Sequence, residues 1–249
     1  MRTKMKKWSV VLVAVLMVTV SMAPAASAAI SVSGDAYAGY FSKYLWRGEN
    51  LSGGTPVVQA GMDLSAHGFT LSYWSNWQTK DDVILGTPTD SGELTETDVT
   101  LDYSFDINKL VSASVGNIYY SLEGTDTSEI YAGATFNTLL SPAVKIYWDY
   151  DQAKENGYFI TASVGHSFAL TKKLGLNLGA LVSYNGASDF SVGSYHNWHN
   201  YELSASVDYA ITDQLSLSPS FVYSAPISAA AKDNIDTETM AGLNLAFSF

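Results

Sequence analysis

Hydrophobic and polar residues alternate along most of this chain, and the two sets keep the same character from segment to segment. Between Thr237 and Phe249, Ala241, Leu243, Leu245, Phe247 and Phe249 share one parity, while Glu238, Met240, Gly242, Asn244, Ala246 and Ser248 share the other. A period of two is the signature of a strand, whose successive side chains point to opposite faces. The split recurs upstream. Leu215, Leu217, Phe221 and Tyr223 alternate with serines; Tyr201, Leu203, Ala205, Val207 and Tyr209 alternate with Glu202, Ser204, Ser206 and Asp208. Leu174 to Tyr184 and Val99 to Phe105 behave alike, and similar segments cover 30–47, 55–65, 69–78, 110–121, 128–136, 142–150 and 157–169. Together they predict about twelve antiparallel strands, an even number of the kind that closes a bacterial barrel.

A soluble β-sandwich alternates too, but it shows its charges to water. Here the greasy parity of these spans carries no Asp, Glu, Lys or Arg, and the charges sit among the small residues, as at Asp35, Asp63, Asp102, Lys145, Asp149 and Asp208. An apolar outside around a polar, glycine-rich inside is a barrel bathed in lipid. No apolar run near twenty residues follows residue 28, so helical spans are not expected, and a closed barrel is the remaining way to cross a bilayer with every backbone group paired. Every second link is short, as at Ala66-His67-Gly68, Ile107-Asn108-Lys109 and Thr171-Lys172-Lys173, whereas 80–93, 186–196 and 225–236 are longer. Short periplasmic turns and longer outer loops give that pattern. Aromatics gather near strand ends, with Tyr44, Trp46, Trp77, Trp148, Tyr150, Tyr158 and Tyr184 towards one side and Phe105, Phe168, Tyr209 and Phe249 towards the other, reading as two interfacial girdles.

The first residues stand apart from this pattern. Arg2, Lys4, Lys6 and Lys7 precede an apolar stretch from Trp8 to Val20, followed by Pro24 and Ala26-Ser27-Ala28. This is the order of a secretory signal peptide, so residues 1–28 are expected to be cleaved and 29–249 to form the barrel. Removing them leaves nine basic side chains against 24 acidic ones, a net charge of −15. That balance repels nucleic acid and anionic lipid as main partners. The chain has no cysteine, which excludes disulfides, thiolate metal sites and a cysteine nucleophile. The expected location is the outer membrane, reached through the periplasm, with lipid and lipopolysaccharide as surroundings. The terminal Ala246-Phe247-Ser248-Phe249 resembles the C-terminal signal read by the barrel-assembly machinery.

Tyr44-Leu45-Trp46-Arg47-Gly48, Gly53-Gly54-Thr55-Pro56 and Val58-Gln59-Ala60-Gly61-Met62-Asp63 resemble the opening of the TorF-type porin family. There an aromatic-Arg-Gly element at the outer end of the first strand leads into a similar second strand. Tyr131-Ala132-Gly133-Ala134 and Tyr147-Trp148-Asp149-Tyr150 fit that family more loosely. The resemblance implies a pore and names no solute.

Parity assigns Asp35, Asp63, Glu96, Asp98, Asp102, Asp149, Glu202, Asp208 and Glu238, with Lys43, Arg47 and Lys145, to the lumen. A confined acidic wall focuses its field and favours cations or neutral solutes. The expected function is passive diffusion of small hydrophilic solutes or ions. Pairing of Arg47 or Lys145 with nearby acids could instead plug the barrel, and the sequence leaves pore and plug open. A structural barrel is the next alternative, and a lipid-modifying hydrolase the third. The hydrolase would need a histidine beside a Ser or an acid. His67 and His166 fall at turns or interfaces, whereas His196 and His199, near Glu202, lie where an outer loop enters a strand. Their spacing implies no third ligand, so no metal, cofactor or catalytic set is assigned.

Overall fold

The computed structural model describes residues 31–84, 87–122, 124–153 and 157–249. The expected signal peptide lies outside the described residues. In chain order, β1 (Ser33–Phe41), β2 (Leu45–Trp46), β3 (Glu49–Asn50), β4 (Val57–Ala66), β5 (Phe69–Gln78), β6 (Asp82–Ile84), β7 (Thr87–Thr89) and β8 (Leu94–Asn108) come first. Then follow β9 (Val111–Leu122), β10 (Thr125–Phe136), β11 (Ala143–Asp149), β12 (Tyr158–Ala169), β13 (Leu174–Gly186), β14 (His196–Ala210), β15 (Leu215–Pro226), a single-turn helix α1 (Ala229–Lys232) and β16 (Glu238–Ser248). Twelve of these close an antiparallel barrel in the order β1-β16-β15-β14-β13-β12-β11-β10-β9-β8-β5-β4, with β1 pairing both β4 and β16. The other four strands form two small hairpins, β2–β3 and β6–β7. Most barrel strands run to ten residues or more, up to 15 in β8 and β14. A tilted strand needs about 9–11 residues to cross hydrocarbon.

The barrel is inside out relative to a soluble protein. Leu101, Ile130, Ile146, Trp148, Leu203, Phe221, Leu243 and Leu245 are exposed on its outer surface. The deeply buried side chains are mostly polar, among them Asn76, Gln78, Glu129, Asp149, Asn185, His199 and Asn200. Aromatic pairs such as Phe69–Tyr103, with ring centroids 4.6 Å apart, band the end with the short turns, and Tyr158–Tyr184 and Tyr184–Trp198 contacts band the other. At the short-turn end Ala66 pairs with Phe69, so His67 and Gly68 alone reverse the chain. Both have positive φ, 54° and 84°. That is the primed turn whose twist matches the flanking strands.

Two sequence expectations are corrected at the start of the barrel. The span 30–47 reads as one strand, but β1 stops at Phe41. The chain then turns, and Leu45–Asn50 forms a separate hairpin. Tyr44 and Trp46 therefore leave the outer girdle. Tyr44 is buried against Trp74, with ring centroids 5.3 Å apart, and Trp46 meets Tyr120 edge-on at 6.0 Å. Tyr120 and Trp74 belong to barrel strands whose greasy neighbours, such as Tyr119 and Tyr73, lie on the opposite parity. The hairpin has folded into the barrel.

Candidate functional site

The β2–β3 hairpin is built like the turn at residues 67–68 and used differently. Trp46 pairs with Glu49, leaving Arg47 and Gly48 as a two-residue loop with φ of 49° and 82°. The turn needs glycine at its second position for a second reason. A β-carbon on Gly48 would stand 2.8 Å from Ile235 Cδ1 and 3.0 Å from Asn200 Nδ2. The hairpin base is tied down by polar bonds that a dry site requires. Leu51 N–H donates to the Tyr44 carbonyl at 2.8 Å, and Tyr44 N–H donates to Ser52 Oγ at 2.8 Å. Ser52 Oγ donates to the Thr55 carbonyl at 2.9 Å. Gln78, from β5, donates to the Ser52 carbonyl at 3.3 Å and to Thr55 Oγ1.

The tip carries Arg47 across the lumen. Its guanidinium donates from Nη1 and Nη2 to the two oxygens of Glu129 at 2.8 and 2.7 Å, a bidentate pair. Only 8% of the Arg47 side chain and 2% of the Glu129 side chain are exposed. Nη1 also donates to Ser191 Oγ at 2.9 Å, and Tyr120 Oη donates to Glu129 at 2.9 Å. The guanidinium lies 4.4 Å from the centroid of the Trp46 ring, 4.5 Å from Phe159 and 5.0 Å from Tyr147. Those rings attract a cation through their quadrupoles.

His199 holds the backbone of the tip. Its Nε2 lies 2.7 Å from the Arg47 carbonyl, which can only accept, so Nε2 carries the proton. Nδ1 then accepts from Tyr195 Oη. Burial pushes the Tyr195 phenol up to about 12, so it stays a donor at neutral pH. Both ring nitrogens are thus committed to the hairpin seat. Glu202 instead accepts from Asn200 Nδ2 at 2.9 Å, so His199 and Glu202 do not form a proton-transfer pair. His199 faces inward because the β13–β14 register shifts between Val182 and Tyr184, which breaks simple alternation there.

The lumen consequently has two halves. Towards the long loops, inward-facing Asn76, Gln78, Glu96, Glu129, Asp149, Ser183, Asn185, His199 and Ser224 are buried, in the half of the barrel that the hairpin and the 187–195 loop enter. Asn185 braces that loop by donating to the Gly193 carbonyl at 2.7 Å. Towards the short turns, Asp35, Asp63, Asp102, Lys145 and Asp208 keep partial or full access to solvent. The outer half is filled and the inner half is wet.

The candidate residues divide between these halves. Asp35 and Asp63 face each other in the β1–β4 ladder. Asp102 accepts from Tyr131 Oη, above whose ring Lys145 Nζ sits at 4.8 Å. Asp208 accepts from Asn177 and Ser218, each at 2.7 Å. Lys43 and Glu238 pair with one another at the barrel seam. Asp149 accepts from Thr127 at 2.6 Å and from the Asp151 and Gln152 amides at 2.9 Å, so it caps a turn. Glu96 is buried, and Asp98 Oδ1 is buried with no hydrogen-bond partner among the described residues. Arg47 meets none of these acids. Its partner, Glu129, follows from the parity of Thr127, Tyr131 and Gly133 on β10 but was not picked out. Tyr120, Tyr147 and Phe159 are likewise outside the set that parity assigned, because that set holds charged residues alone.

Gly48→Ala is expected to loosen the hairpin without opening the barrel. A left-handed non-glycine residue costs about 1–2 kcal/mol, and the Ile235 and Asn200 contacts add to it. Amide exchange should accelerate over 44–52 and remain unchanged in β9 to β13. Equal protection in both proteins would mean that the tip tolerates a β-carbon.

No protein-family model and no curated protein match the chain. Solved structures do. The NanC porin is 12% identical with a TM-score of 0.55, covering 87% of this chain and 100% of that one. The KdgM porin is 15% identical with a TM-score of 0.54, covering 87% and 99%. An outer-membrane channel from Pseudomonas putida F1 is 10% identical with a TM-score of 0.56, covering 90% and 97%. At these identities the likeness concerns architecture: this chain has the fold of outer-membrane porins.

Proposed function

We propose that the chain is an outer-membrane channel for passive diffusion of small hydrophilic solutes, with an acidic inner vestibule and an outer mouth closed by the Arg47 hairpin in this conformation. The observation that carries the reading is the closed barrel with an apolar exterior, with Asp35, Asp63, Asp102, Lys145 and Asp208 partly or fully accessible towards the short turns. Residues 1–28 would direct export through the periplasm and be removed, leaving 29–249 in the outer membrane among lipid and lipopolysaccharide. The strand ending at Phe249 would engage the assembly machinery. The Tyr44–Gly48 element supports membership of the TorF-type porins, and its role would be to form the closing hairpin. A second reading, a permanently plugged structural barrel, is favoured by the filled outer half. Planar-bilayer recording of the refolded protein separates the two: discrete conductance steps support the channel, and their absence over the full voltage range supports the plug.

The vestibule makes its own prediction. Asp35, Asp63, Asp102 and Asp208 outnumber Lys145 along the accessible wall, so reversal potentials in a salt gradient should favour cations. Replacing the four aspartates with asparagine should bring the permeability ratio close to one. An unchanged ratio would place the path elsewhere.

A further inference from the structure

The cage around Arg47 is assembled from the barrel wall, while its occupant arrives on a loop. Tyr120 lies on β9, Glu129 on β10, Tyr147 on β11 and Phe159 on β12, four consecutive strands of one rigid sheet. Only Trp46 and Ser191 come from the hairpin and the 187–195 loop. If the hairpin withdraws, a carboxylate with two acceptor oxygens, held by the Tyr120 hydroxyl, remains on β10 with the Tyr147 and Phe159 rings beyond it on β11 and β12. Asp98, with its unpartnered buried oxygen, stands opposite Tyr120 in the β8–β9 ladder. Without Arg47, Glu129 has no ion-pair partner among the described residues.

From this geometry we propose that the wall site at Glu129, Tyr147 and Phe159 binds a guanidinium-bearing solute, and that Arg47 is its tethered competitor. The planar fork of donors matches Glu129 in a way that a compact ammonium does not. The flanking rings provide cation–π faces of the sort used for organic cations. Seating of the hairpin and occupancy by solute are then mutually exclusive, and a solute that reaches the cage holds the mouth open. This assigns a solute class to the channel proposed above and rests on that reading, but the site can be tested without current.

The probe is the guanidinium ion at millimolar concentration, with sodium at equal ionic strength as the reference. Binding is followed by tryptophan fluorescence and thermal unfolding of the detergent-solubilised protein, and folding is checked by heat-modifiable migration. Arg47→Ala should bind guanidinium saturably, about tenfold more tightly than sodium, a difference of about 1.4 kcal/mol. Wild type, whose cage is already filled, should respond little. Arg47→Ala with Glu129→Gln should lose the response. If Arg47→Ala does not fold, Arg47→Lys, which keeps the charge but not the fork, takes its place and should respond in the same direction. Equal binding of guanidinium and sodium by the folded variant, or retention of the response with Glu129→Gln, overturns the site. Saturable binding by a protein that never conducts upholds the site and overturns the channel. Conduction without a guanidinium effect does the reverse.

Discussion

Arg47→Ala should raise the conductance of the reconstituted barrel from rare, small steps to a predominantly open state. The Arg47–Glu129 pair is nearly dry, with side-chain exposures of 8% and 2%. Removing one partner of a buried pair typically costs about 3–5 kcal/mol, because the other charge is left uncompensated. At 1.4 kcal/mol per tenfold change, the seated hairpin would lose a factor of roughly one hundred or more against its withdrawn form. Glu129→Gln should act in the same direction. The double variant should lose less than the sum, since neither charge is then stranded. Single-channel recording at fixed salt measures this directly. An Arg47→Ala barrel with the open probability of wild type would mean that the Tyr44–Ser52 anchor, and not the tip, holds the mouth shut.

The second large effect concerns the wall. Lys145 and Ile146 are neighbours on β11, with Lys145 lying against the Tyr131 ring and Ile146 exposed on the outer surface, paired in register with Ala132 and Ile160. Ile146→Lys should therefore destabilise the folded protein in vesicles by about 2–4 kcal/mol, the cost of a lysine near the bilayer midplane. Lys145→Met should cost far less, because it takes no charge into hydrocarbon. Reversible denaturant titration in lipid vesicles compares them. Equal losses from the two substitutions would remove the assignment of the exposed apolar face to lipid.

That contrast also explains why the barrel was legible in the sequence. Alternation with an uncharged parity is a local property, repeated in every strand, and a single residue of register decides between Lys145 and Ile146. The hairpin is a different kind of information. From Tyr40 to Trp46 only Ser42 departs from the apolar parity and no glycine or proline intervenes, so the segment reads as more strand and its aromatics as girdle. What turns it inward is Glu129, 82 positions away, together with Ser191 and His199 on other loops and strands. One local signal was present: Arg47-Gly48 between Tyr44-Leu45-Trp46 and Glu49-Asn50-Leu51 is a two-residue hairpin turn with glycine second. His199 was hidden for a related reason. The register shift opposite Val182 and Tyr184 reverses its side, and parity counting cannot see a bulge. Glu129 needed no such help, since it shares the inward parity of Tyr131 and Gly133.

The seam between β1 and β16 has a consequence for how the barrel can enter a bilayer. Gly34 and Phe249 exchange both backbone hydrogen bonds, at 3.0 and 2.9 Å, and beside them Ser248 Oγ reaches Asp35 across 213 positions of sequence. Until the last residues arrive, the free edges of β1 and β16 each present a row of amides that hydrocarbon cannot solvate, at several kcal/mol for each unsatisfied group. A half-made sheet is consequently a poor guest in a bilayer. Zippering of the final joint and entry into lipid are therefore expected to be coupled, since that joint pairs the last open edges before hydrocarbon surrounds them.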